Sequence, residues 1–528
     1  MGASLDTTSE PRFRHVLLLI LLFGFAVRFS SMFWGIGLFS FDHGVYHPDE
    51  PKVVNYVRNF PESFWTQEDF RYPVGLHHAL LALYLPLKRV ANTGFAQSVV
   101  SGNTERLWAF LVCRFGVVLI GTATVWFVYA SVRRLTCKNP PALIAAAVAS
   151  LFPYAVLNSG LAATDVPLSL AIIAVFYAYI RLEERIPNVR WGWFGLGCLA
   201  GVAIGVKYTA AFLGPTLVIL MVWRHRAAGA SWILTALNLA RLGAGTLLAF
   251  FIVMPHAVFR YHLVIGSLRY EMSRIESRPW ELAEYLDKFW TAFGWPGTVL
   301  VLCAAVLLAW KRPRGTAALG LFTLFFILLT MRGLLARYLI ALTPLAAVAV
   351  GCAAAVPEFQ NHWIERLRRA GMYSLFAACG LLLFACLYGR YAWDTRSEVT
   401  RYIQREYPTD TSIAYAVLGT EKNRQRWRWP RFAYGEYPAV KLGDEPHLIV
   451  ATTPPHELLR QDLRDGGRRF RMWQYDYKLE TPSQRFMNLY NALATGTNDY
   501  RIVARFSRTR LPIEFPGYPL AVYERQSE

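Results

Sequence analysis

Residues 16–33 read VLLLILLFGFAVRFSSMF, and a few residues further on stands His47-Pro48-Asp49-Glu50. The first stretch is long enough to cross a bilayer and follows Arg12 and Arg14. It runs long for a signal peptide and shows no small-residue cleavage pattern, so it predicts a retained first helix whose basic amino end stays in the cytoplasm. The acidic pair beyond it is the first candidate for an active site. Carboxylates at a membrane boundary are costly to desolvate, and they are kept there for chemistry or ion handling.

The rest of the chain follows the same pattern. Of 528 residues, 54% are hydrophobic and 17% charged, too apolar for an ordinary soluble domain. The formal net charge of +19 raises the question of nucleic acid, but the basic residues lie mostly in short loops between apolar stretches, where they set topology. Nucleic-acid binding is therefore not expected. Six of the seven cysteines fall inside apolar runs, leaving Cys137 in a loop, and no spacing suggests a disulfide framework or a metal knuckle.

Hydropathy places further spans near 107–130, 141–157, 166–181, 192–206, 209–223, 233–254, 296–310, 316–331, 336–355 and 371–389, about eleven in all. Arg133-Arg134, Arg181 with Arg185, Arg224 with Arg226, Lys311-Arg312 and Arg366 with Arg368-Arg369 occupy alternate loops, all on the amino-terminal side. The opposite, outer side then holds two long loops, about 38–106 and 255–295, and everything after Tyr391. Within the first loop, 49–59 and 76–90 predict helices lying at the membrane surface. The expected division is a membrane module over 1–390 and a small soluble α/β domain over 391–528. In the latter, 412–418, 447–452, 500–506 and 520–523 predict strands, and 398–406, 457–464 and 485–493 predict helices.

On the outer face several residues could carry chemistry. Asp49 is suited to take a proton from a hydroxyl nucleophile, and Asp165, at the outer start of the fourth span, to orient the nucleophile or the base. Each also suits a helix N-cap, a role compatible with catalysis because a cap fixes a carboxylate's direction. Lys207 and Arg337 are outer-face cations that run against the positive-inside bias. They suit an anionic ligand such as a lipid phosphate, snorkelling to the interface being the plainer reading of each alone. His47, His77, His78 and His256 lie on the same side. With Glu50, His256 is a candidate ligand for a divalent metal, although the spacing is not diagnostic.

Taken in order, His47-Pro48-Asp49-Glu50, Arg71-Tyr72-Pro73-Val74-Gly75-Leu76, Ala163-Thr164-Asp165-Val166-Pro167-Leu168, Gly205-Val206-Lys207-Tyr208 and Arg337-Tyr338-Leu339 make the chain resemble the GT-C glycosyltransferases that use polyprenyl-phosphate sugars, the class of protein O-mannosyltransferases and the lipid A aminoarabinose transferase. The set covers most of residues 1–355. The resemblance implies a polytopic helical membrane enzyme of a bacterial plasma membrane, with the soluble domain periplasmic. It implies Asp49 as base or acceptor-site acid, Asp165 as second acidic residue, Lys207 and Arg337 as lipid-phosphate contacts, and Glu50, Tyr208 and Tyr338 as further substrate contacts. The donor would be a polyprenyl-phosphate sugar, and the acceptor a protein, lipid or glycan hydroxyl. Where family members carry Asp-Glu-Ala, this chain has Asp49-Glu50-Pro51, which keeps the acidic pair but leaves subfamily and acceptor open. A related glycan polymerase or ligase is the alternative within the class. A lipid or sugar transporter would instead place its charges near span centres.

Overall fold

A computed structural model describes residues 10–34, 49–91, 103–183, 191–276, 282–311, 315–330, 336–357, 361–392, 395–408, 410–416, 447–452, 500–506 and 520–526. His47 and Pro48, the expected helices 457–464 and 485–493, and Arg185 and Arg312 lie outside the described residues.

Eighteen α-helices are described: α1 (Glu10–Ser31), α2 (Glu50–Arg58), α3 (Glu62–Thr66), α4 (Gly75–Ala91), α5 (Asn103–Thr136), α6 (Asn139–Leu151), α7 (Pro153–Ser159), α8 (Asp165–Glu183), α9 (Gly192–Val206), α10 (Leu213–Ala227), α11 (Trp232–Val253), α12 (His256–Phe259), α13 (Tyr261–Glu276), α14 (Leu282–Lys311), α15 (Thr316–Thr330), α16 (Thr343–Ala354), α17 (His362–Ala392) and α18 (Thr395–Glu406). Two 3-10 turns, Tyr208–Phe212 and Ala336–Leu342, precede α10 and α16. Helix occurs at each of the eleven positions where hydropathy expects a span. Among the described residues seven helices are long and apolar enough to cross a bilayer unaided, and α6 with α7, bent by 63° at their junction, make an eighth if counted as one broken span. The protein is an integral membrane protein.

By contact the chain divides into two compact units, one comprising 1–32 with 52–384 and the other 33–51 with 385–528. In the first, the buried share of the apolar windows sorts the helices. It is 17% for the window on α1 and 83% for the one running from Arg337 to Ala354. Lipid therefore faces α1, while α16 sits at the centre against α5, α6 and α14. Small residues let α9 and α11 meet backbone to backbone, as in membrane helix pairs generally. A Cβ on Gly197 or Gly201 would lie 2.2 Å from the carbonyl oxygens of Leu242 and Thr246, and one on Gly245 2.2 Å from that of Phe194. This contact fixes where the carboxyl end of α9 emerges. Gly75, opening α4, continues it, because a Cβ there would lie 2.4 Å from the Gly205 carbonyl oxygen.

In the second unit a four-stranded sheet has the order β1 (Ile413–Ala416), β2 (Leu448–Thr452), β4 (Leu520–Arg525), β3 (Tyr500–Phe506). The β1/β2 pair is parallel and the other two pairs are antiparallel, with a bulge between Ile502 and Ala504. Val399 and Ile403 of α18 are buried with Ile413, Leu448 and Val522, giving the small α/β core that the composition expects.

Candidate functional site

Asp165 opens α8, and Lys207 ends α9 in extended backbone at φ −156°, ψ 129°. An anion at a helix amino end and a cation at a helix carboxyl end each meet the favourable pole of the macrodipole. The two side chains form a buried ion pair, 5% and 6% exposed as residues. Ser169, one turn into α8, donates its hydroxyl to the Ile340 carbonyl at 2.9 Å and so ties the 3-10 turn of 336–342 to the same helix end.

That turn supplies Arg337 and Tyr338. The Lys207 ammonium lies 4.5 Å from the Tyr338 ring centroid, and the Arg337 guanidinium 5.8 Å from the same ring. Two cations thus contact one aromatic ring, an arrangement whose attraction grows as water is excluded. Arg337, itself buried, donates from Nη2 to the Tyr72 hydroxyl at 3.4 Å. Beyond Tyr72 the line continues: the Lys52 ammonium is 5.3 Å from the Tyr72 ring and 3.4 Å from Asp69, and Arg71 Nε donates to Asp69 Oδ1 at 2.7 Å. Burial alone would raise the Asp69 carboxyl, but the Arg71 hydrogen bond and the charges of Lys52 and Arg71 outweigh it and hold the group well below the usual carboxylate range. Lys207, Arg337, Lys52 and Arg71 thus lie along one line with Asp165 and Asp69.

The sequence expectations fall as follows. Asp165, Lys207, Arg337 and Tyr338 come together, with Asp165 facing Lys207. Tyr208 follows Lys207 in the next 3-10 turn, and its hydroxyl, like that of Thr209, is buried without a hydrogen-bond partner. Asp49 is half-buried immediately before α2, and Glu50, its first residue, is fully buried. Lys52, Asp69 and Tyr72 were not singled out from the sequence as site residues. The usable signal was the Arg71-Tyr72 motif ahead of α4.

His256 Nε2 donates to the Phe64 carbonyl at 2.8 Å, which fixes the tautomer and leaves Nδ1, buried without a partner, as the free lone pair. His78 joins the Val253 carbonyl through Nδ1 and the Tyr56 hydroxyl through Nε2, each at 3.1 Å. The His77 ring packs 4.9 Å from that of Tyr56. Burial, then the neighbouring His78, pushes the His77 imidazole down to about 3. His78 thus ties α4 to α2 and α11, and His256 ties α12 to α3. Among the described residues no group of three or more His, Cys, Asp or Glu is placed to hold a metal ion. Of the expected metal ligands, His256 keeps the Nδ1 lone pair.

Residues 107–259 match the family model of dolichyl-phosphate-mannose-protein mannosyltransferases. No curated protein is matched by the sequence. Among solved structures, the archaeal oligosaccharyltransferase AglB from Archaeoglobus fulgidus, in complex with an inhibitory peptide and a dolichol-phosphate, is similar with TM-score 0.53 at 13% identity, over 95% of this chain and 80% of that one. ArnT from Cupriavidus metallidurans, bound to undecaprenyl phosphate, is similar with TM-score 0.50 at 14% identity, over 98% of both chains.

Proposed function

The chain having the fold of the GT-C glycosyltransferases, we propose that it moves a sugar from a polyprenyl-phosphate donor to an acceptor hydroxyl at the outer face of the membrane. The observation that carries this reading is the run of cations from Lys207 through Arg337 to Lys52, built around Tyr338 and Tyr72. Both similar structures hold a polyprenyl phosphate or its dolichol counterpart. Fixed cations stabilise such a phosphate headgroup, whose isoprenoid tail stays in lipid.

In a single displacement the acceptor oxygen attacks the anomeric carbon while the bond from that carbon to the phosphate oxygen breaks. The electron pair leaves with polyprenyl phosphate, the configuration inverts, and the hydroxyl proton passes to a base. The leaving phosphate gains charge in the transition state, so cations fixed beside it stabilise that state more than the bound ester. Lys207 and Arg337 are assigned that task. Asp165 holds Lys207 in place through their ion pair, and Asp49 takes the proton. The transferred sugar is a hexose or pentose. The membrane is assigned as a bacterial plasma membrane, with the amino terminus cytoplasmic and the carboxyl-terminal domain outside.

Purified protein incubated with a panel of radiolabelled polyprenyl-phosphate sugars is expected to release polyprenyl phosphate from one of them in the presence of membrane extract as acceptor. Release from none, by protein that is folded and monodisperse, overturns the reading.

A further inference from the structure

Pro153 opens α7 without an N–H, so the carbonyl of Ala149, four residues earlier, lacks the hydrogen bond a continuous helix would supply. Phe152, ahead of the proline, is extended at ψ 111°, and the span bends there by 63°. In a membrane an unserved carbonyl must be satisfied from elsewhere in the protein. It is served by α1. Arg28 donates from Nη2 to the Ala149 carbonyl at 2.9 Å and from Nη1 to Gly24 of its own helix at 2.9 Å.

Arg28 is 3% exposed and sits in a close-fitted slot. A Cβ on Gly121 would lie 3.1 Å from its Cδ and Nε and 2.7 Å from the Ser159 hydroxyl. One turn on, the buried Ser31 shares its hydroxyl proton between the Arg28 carbonyl at 2.7 Å and the Val156 carbonyl of α7 at 3.1 Å. The usual partner of Val156 would be the amide of Gly160, which turns to Asn158 instead. Gly160 meets Ser31 so closely that a Cβ would lie 2.4 Å from the serine carbonyl.

From Gly160 the chain turns at once toward α8. Leu161 donates to Asn158 at 3.1 Å and Ala163 to Leu161 at 2.8 Å, and Asp165 then opens the helix. We propose that Arg28 is a positioning residue for Asp165: it replaces the hydrogen bond deleted by Pro153, and so holds the broken span at the angle that delivers this carboxylate to Lys207. Ser31 is the second fastening point. The guanidinium is needed because its fork serves carbonyls on two helices at once, which an ammonium does less well. The inference rests on the proposed role of the Asp165–Lys207 pair.

Hydrogen exchange of the purified full chain separates the two readings. Arg28→Met is expected to speed exchange tenfold or more across residues 153–168 relative to the other spans. Arg28→Lys should restore part of the protection, and Ser31→Ala, a milder change that keeps the fold testable, should give a smaller increase in the same segment. Undecaprenyl-phosphate binding should weaken about tenfold in Arg28→Met, and Arg28→Met added to Asp165→Asn should cause no further loss. Unchanged exchange in 153–168 for both Arg28→Met and Ser31→Ala, or a uniform rise over all spans, overturns the inference, as do additive binding losses. A wild-type chain that binds no polyprenyl phosphate instead overturns the donor reading, and the exchange measurements still decide the positioning role.

Discussion

Lys207 holds its ammonium 4.5 Å from the centroid of the Tyr338 ring while its charge is paired with Asp165. The ring and the carboxylate come from different helix ends, so the lysine is fixed from two directions before any ligand arrives. Breaking a buried pair on one side strands the other charge at a cost of about 3–5 kcal/mol. Lys207→Ala is therefore expected to lower thermal stability as well as polyprenyl-phosphate affinity. Lys207→Met combined with Asp165→Leu should recover most of the stability and none of the affinity. Equal melting temperatures for Lys207→Ala and wild type would show that the pair is not desolvated.

Tyr338 contributes through its ring face. A desolvated cation–π contact contributes about 2 kcal/mol, so Tyr338→Leu should weaken polyprenyl-phosphate binding by roughly tenfold or more and Tyr338→Phe by much less. Binding measured by isothermal calorimetry checks this. A phenylalanine variant as weak as the leucine one would point to the hydroxyl instead.

Arg337 reaches both Tyr338 and Tyr72. Arg337→Ala should lower both donor affinity and turnover, and Arg337→Lys should rescue only part, because a point charge cannot fork two phosphate oxygens. Steady-state kinetics on the donor decide it, full rescue by lysine being the contrary result.

Asp49 is expected to be needed for turnover and dispensable for folding. Asp49→Asn should lose two or more orders of magnitude in rate, the range for removing a general base, with expression and melting temperature unchanged. Activity within a few-fold of wild type would remove Asp49 from the base role.

His77 makes stability depend on pH. Its folded imidazole is pushed down to about 3, whereas an unfolded one titrates near 6.5. Below about pH 6.5 the unfolded chain takes up a proton that the folded chain refuses, so this contribution is complete above that pH and is lost progressively on acidification toward 3. His77→Phe should flatten the fall in melting temperature between pH 7 and 5. An unchanged slope would show that His77 is protonated in the fold.

Much of this architecture is legible in the sequence because hydropathy is local. The eleven apolar stretches each became helix, 192–206 coinciding with α9, and 500–506 coinciding with β3. Lys207 and Arg337 stand out in the sequence as exceptions to the charge bias expected of the loops. Sequence alone left open what each charge faces. Asp165 and Lys207 are 42 residues apart, and they meet because glycines on α9 and α11 allow backbone contact that sets where α9 ends. Lys52, Asp69 and Tyr72 join the site through the Arg337–Tyr72 hydrogen bond, just ahead of α4, whose Gly75 meets Gly205 of α9. Arg28 lies within a hydrophobic run, where a charge is itself a signal, yet its partner is a carbonyl left unserved by a proline 125 residues away. Periodicity and composition report which residues dislike water, whereas pairing across helices depends on close approach of backbones and on which hydrogen bonds a break leaves unmade, and only the tertiary structure decides those.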